Sequence, residues 1–179
     1  MKTYLAFLRG INVGGKNKVS MLELKKSFEK LGYKDVSTYI NSGNVIFNAN
    51  TDNTQKIASK IEEALFKKFG FVVRTVVRTG VSVRKISKAI PKEWGNDNEQ
   101  KTDVLFLWPD FESKKSLDFI SVIPGIDNLI YVDGAIIWNI NRAQYNKSGI
   151  KKFIGSELYK NMTARNVNTV RKLAEMLSI

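Results

Sequence analysis

The residues best equipped for chemistry in this chain lie in one stretch, Arg9-Gly10-Ile11-Asn12-Val13-Gly14-Gly15-Lys16-Asn17-Lys18. Three cations, two carboxamides and three glycines fall within ten residues. Such a loop can surround an anion with positive charge, side-chain amides and backbone N–H groups. A second polar cluster, Asn41-Ser42-Gly43-Asn44, adds two more amides and a hydroxyl. A third, Thr163-Ala164-Arg165-Asn166, adds another cation. These groups suit a phosphate, a carboxylate or a polar nucleotide edge. The spacing matches neither Gly-x-Gly-x-x-Gly nor a P-loop.

Catalysis is less well provided for. The chain has no histidine and no cysteine. That excludes Ser-His-Asp triads, histidine metal clusters, disulfides and thiolate chemistry. Ser42 is the one hydroxyl nucleophile in the first two clusters, and no histidine can activate it. No paired-carboxylate motif points to a metal, so no cofactor is expected.

The elements that must position these groups follow from the apolar pattern. Tyr4-Leu5-Ala6-Phe7-Leu8 reads as a buried strand, and Ser20-Met21-Leu22-Glu23 reads as a capping box opening a helix. Tyr39–Asn48 reads as a hairpin about the Asn-Ser-Gly-Asn turn, residues 53–69 as a helix, Phe71–Arg78 as a strand, and 82–90 as a short helix. The second half repeats this order. Val104–Trp108 matches the first strand, and a helical pattern at Leu117, Phe119, Ile120 and Ile123 follows. Tyr131–Asn139 then matches the hairpin, and a helix spans roughly 164–177.

The expected fold is therefore α+β, with duplicated ferredoxin-like βαββα(β) units and antiparallel sheets. A basic subdomain (1–90), a linker (91–102) and a second βαββα subdomain (103–179) make up the chain. Residues 141–161 read as loop. In the βαββαβ order, the 9–18 loop and the 41–44 turn come to the same end of the first sheet.

At that end, Arg9 and Lys16 would supply charge, and Asn12, Asn17, Ser42 and Asn44 would orient a ligand. Gly14 and Gly15 would expose N–H groups, and Gly43 would allow close approach. Arg165, read as lying in the first turn of the last helix, and Asn166 would form an opposite wall. The alternative is structural: glycines at positive φ, ordinary hairpin-turn chemistry, and asparagines satisfying backbone groups.

Charge favours the first half as the binding part. Residues 1–90 hold 17 Lys/Arg against 6 Asp/Glu, a net +11, while residues 91–179 hold 12 against 11. The expected partner is an anionic small molecule or nucleic acid. Two other readings remain: an enzyme that positions a phosphorylated or nucleotide substrate electrostatically, and a module whose basic face docks an acidic protein. Arg74 and Arg78 share a strand face that would extend the basic surface. Phe7 and Phe47 lie on the two central strands, where ferredoxin-like RNA-binding domains stack bases. No apolar run approaches the roughly 20 residues of a membrane span. With no signal-peptide core either, the expected location is cytoplasmic.

Several of these blocks also resemble a known family. Residues 4–15, Met21 with Leu24, residues 38–47, and residues 163–173 are together similar to the bacterial domain-of-unknown-function family numbered 1697. The likeness covers essentially the whole chain. It implies a duplicated α+β, ferredoxin-like arrangement and carries signature blocks onto Arg9–Gly15, Ser42–Asn44 and Thr163–Asn166. It brings no activity, cofactor or catalytic residue. Val167 departs from the family pattern, which often has Trp there.

Overall fold

Five consecutive apolar residues buried on both faces make a central strand rather than an edge. Tyr4 to Leu8 are at most 1% exposed, and β1 (Lys2–Leu8) lies between β3 (Asn44–Ala49) and β4 (Thr75–Thr79). In this computed structural model, which describes residues 1–177, β2 (Lys34–Tyr39) completes an antiparallel sheet of order β2-β3-β1-β4. One face of the sheet carries Tyr4, Ala6, Leu8, Val45, Phe47 and Val77. Helices α1 (Met21–Lys30) and α2 (Thr54–Phe69) pack there through Leu24, Phe28, Ile57, Ile61 and Leu65. Their i, i+4 spacing puts these residues on one stripe. Asn53 caps α2 by accepting from the Lys56 N–H at 2.8 Å, and Gly70 at φ 77° ends it. The chain divides into two units between Val81 and Ser82, within α3 (Gly80–Ala89).

The second unit repeats the sheet. Strand β5 (Gln100–Leu107) lies between β7 (Ala135–Asn141) and β8 (Met162–Asn166), and β6 (Asn128–Val132) pairs with β7. The order β6-β7-β5-β8 is again antiparallel throughout. The fold is α+β with two four-stranded antiparallel sheets. One face of the second sheet packs under the segment between β7 and β8, which holds a 3-10 helix (Arg142–Lys147), α4 (Ile150–Phe153) and α5 (Glu157–Lys160). Helix α6 (Val167–Met176) packs on β5 and β8.

Five sequence expectations change. The pattern 117–123 forms a 3-10 helix, Lys114–Phe119, and no α-helix. Pro124 disfavours a helical Ile123 and stops any extension. The strand read over 71–78 begins only at Thr75. The last helix begins at Val167, because residues 162–166 form a fourth strand. The segment 141–161 is largely short helices, and the expected linker 91–102 includes the start of β5 at Gln100.

Candidate functional site

The 9–18 loop and the hairpin turn do meet at one end of the first sheet. The Leu8 N–H donates to the Gly43 carbonyl at 2.9 Å, and Asn12 Nδ2 donates to the Asn41 carbonyl at 2.9 Å. Gly43 sits at φ 76°, and a Cβ there would lie 2.8 Å from both Leu8 Cβ and Ile11 Cδ1. It is the floor of the loop and has no exposed surface to offer a ligand.

The amides expected to orient a ligand are engaged by the protein's own groups. Asn12 (φ 54°) also donates to the Val19 carbonyl at 2.9 Å, and its Oδ1 accepts from the Val19 N–H at 2.8 Å. Asn17 (φ 50°) donates to the Gly10 carbonyl at 3.1 Å. Asn44 is fully buried and donates to the Tyr39 carbonyl and to Ser42 Oγ. Asn12, Asn17, Ser42 and Asn44 therefore build the loop and turn. The reason is general: a backbone at positive φ leaves N–H and C=O groups pointing away from regular partners, and short amide side chains satisfy them.

What the loop presents outward is different. Gly14, Gly15, Lys16 and Lys18 are exposed, and among the described residues neither lysine enters an ion pair. Arg9 is half-buried, its N–H donating to the Arg74 carbonyl. An open cleft of about 630 Å³ runs along this end, bordered by Asn12, Gly15, Lys18, Ser20, Leu22 and Asn41.

Helix α1 begins in that cleft, but the expected capping box does not form. The Ser20 side chain makes no capping bond. Glu23 instead pairs with Lys68 of α2 and with Lys26 at 3.1 Å, and these lysines hold its carboxyl at a pKa of about 2. Two cations draw the carboxylate away from the Ser20 N–H, so the first turn of α1 keeps its positive end open. Next to the cleft, Ile40 holds φ 49°, a strained position for a β-branched residue.

The remaining candidates belong to other elements. Arg165 belongs to strand β8 rather than to a helix turn. It is 8% exposed and donates to Thr163 Oγ1 at 3.0 Å and to the Ala164 carbonyl at 2.8 Å. Burial lowers its pKa to about 10. Asn166 caps α6, accepting from the Thr169 N–H at 2.9 Å. Arg78 is only 7% exposed and adds nothing to a basic surface. Phe7 and Phe47 are fully buried, so neither is a platform for bases.

One feature had no sequence signal beyond scattered aromatics. A cavity of about 160 Å³ lies in the second unit, between the β5–β7 face and the 142–160 segment. Beside it, Asp127 accepts from the N–H of Ile123 (2.8 Å), the N–H of Gly149 (2.9 Å), Trp138 Nε1 (3.1 Å) and Ser148 Oγ. Burial alone would raise its pKa, but the four donors outweigh that and lower it.

Comparison with known proteins agrees with the fold. The model of the family described as "Protein of unknown function (DUF1697)" matches residues 1–138. A solved structure of a conserved bacterial protein from Streptococcus pneumoniae is 27% identical, with a TM-score of 0.82 over 98% of this chain and 98% of that one. No curated protein matches the chain.

Proposed function

The chain belongs to the DUF1697 family, whose description names no function, and from the chain's own geometry we propose that it binds a phosphate-bearing ligand at the loop–hairpin end of the first unit. The observation that carries this reading is the cleft itself. Lys18, an exposed lysine with no ion pair among the described residues, and the uncapped first turn of α1 border the same opening, with Lys16 on the adjoining loop. A helix N-terminus carries about half a positive charge, and its N–H groups suit phosphate oxygens. Asn12 and Asn17 support the reading indirectly, by fixing the loop before a ligand arrives. We assign no reaction to the site. Among the described residues no cluster of acidic or metal-ligating side chains could hold a metal ion.

The test compares the wild type with Lys16→Ala/Lys18→Ala, using pyrophosphate followed by NMR and labelled single- and double-stranded oligonucleotides followed by anisotropy. Binding that the double variant loses supports the proposal. With oligonucleotides, affinity should fall with salt by a log–log slope of about 0.9 per duplex phosphate neutralised. Pyrophosphate binding alone identifies a small ligand. Binding of neither probe at low salt refutes the proposal.

We further infer that the two units arose by duplication of a ferredoxin-like unit. Three features support this. The two sheet orders correspond strand for strand. Arg78 pairs with Leu5 of β1 where Arg165 pairs with Val104 of β5. Both arginines are buried, and each donates from Nη1 to the carbonyl of the residue before it, Val77 and Ala164.

A further inference from the structure

We propose that the cavity in the second unit is a separate binding site, for a small one-ring aromatic compound whose polar head both donates and accepts a hydrogen bond. The site lies wholly within residues 101–164 and does not depend on the proposed phosphate site.

Size comes first. The cavity measures about 160 Å³. Engineered apolar cavities of about 150 Å³ stay dry and take up benzene. A single ring therefore fits.

The lining matches such an occupant. Leu105 and Ile140 form the sheet side with Trp138, and Phe153 and Tyr159 form the cover. Trp138 and Phe153 meet edge to face at 5.3 Å, as do Phe153 and Tyr159 at 5.6 Å. Aromatic walls in this relation favour a further ring.

At the same opening, Lys101 and Asp103 project from one face of β5 and pair at 2.5 Å. Their side chains are 26% and 18% exposed, so the pair is partly desolvated. It provides one donor and one acceptor side by side, with no net charge. A head that offers one of each matches it, whereas a purely anionic or cationic head leaves one partner facing a like charge.

The cover is built to hold its place. Ser148 and Gly149, at its centre, are tied to Asp127, which also holds the indole of Trp138. A Cβ at Gly149 would lie 1.6 Å from the Ser121 carbonyl oxygen, so the cover sits directly on the chain beneath it. One buried carboxylate thus fixes both the cover and a wall of the cavity, which limits the ordering cost of binding.

The test is a titration of methyl-labelled protein with benzamide, toluene and benzoate, observed at the methyls of Met162, Ile140 and Ile150. Benzamide should give saturable shifts at these methyls and bind at least about tenfold more tightly than toluene or benzoate. Ala164→Phe, at an exposed position on the cavity's edge, should abolish the shifts. Ile154→Phe, at a residue 54% exposed, serves the same purpose should the first variant not fold. Lys101→Met/Asp103→Leu should bring benzamide to the level of toluene. No saturable shift with any probe, or shifts that survive both blocking variants, overturns the site. Equal affinity for benzamide and toluene in the wild type overturns the role given to the Lys101–Asp103 pair.

Discussion

Replacing Asn12 separates a loop-building role from a ligand-orienting one. Its side chain makes three hydrogen bonds: two donated, to the Val19 and Asn41 carbonyls, and one accepted from the Val19 N–H. Each such bond contributes a net ~0.5–1.5 kcal/mol. Asn12 also holds φ 54°, a region that alanine enters less readily than asparagine. The residue is half-buried, so water recovers part of the loss. Asn12→Ala should therefore cost about 2–3 kcal/mol. In a protein of this size each kcal/mol lowers the Tm by about 2–4 °C, so the expected drop is about 4–12 °C. Urea unfolding should show a lower midpoint with an unchanged slope. Lys16→Ala, at an exposed residue of the same loop, should stay within about 0.5 kcal/mol of wild type. An Asn12→Ala protein within about 1 kcal/mol of wild type would refute the argument and return Asn12 to the ligand.

Gly43→Ala should destabilise by about 2–4 kcal/mol in the same assay, from a left-handed φ plus overpacking against Leu8 and Ile11, whereas Gly14→Ala, with nothing within 4 Å, should lose about 1–2 kcal/mol. Glu23 has a folded-state pKa of about 2 against the usual 4.5, so its contribution is complete above pH 4.5 and is lost as pH falls towards 2. Melting curves across that window should fall more steeply for wild type than for Glu23→Gln. Asp127→Ala strands four donors in a buried site and should cost more than about 3 kcal/mol by urea unfolding, with the near-ultraviolet signal of Trp138 changed.

The elements legible in the sequence are those set by periodicity. The buried strand at 4–8, the 39–48 hairpin and the stripe Ile57-Ile61-Leu65 announce themselves through spacing alone. Strand β8 does not. It has only five residues, and Ala164-Arg165 reads as helix. Pairing with β5 makes it a strand, and that contact is non-local. The loop was legible as a cluster of polar groups but not in their direction. Asn12 carries the same donors and acceptor whether it faces a ligand or Val19, and only the backbone's path decides. The left-handed Ile40 was equally hidden, because nothing in its residue type calls for it.

Direction also decides which positive charges can meet a ligand, and it revises the sense of the strongly basic first half. Arginine's forked donors suit buried carbonyls, and its desolvation is milder than that of an ammonium. Arg78 takes that role and points inward to Val77. Several lysines are already engaged: Lys26 and Lys68 with Glu23, Lys67 with Glu63, and Lys2 with Asp52. Most of those pairs are exposed and contribute little to stability, but each partly neutralises the field a ligand would meet. A net charge of +11 therefore overstates what is available at any one place. Lys16 and Lys18 stand apart because they sit on a loop that its own asparagines have stiffened, beside a helix end that its own serine leaves uncapped. A solubilising charge needs neither condition. A binding site gains from both, because rigid placement lowers the entropy lost when an anion is held.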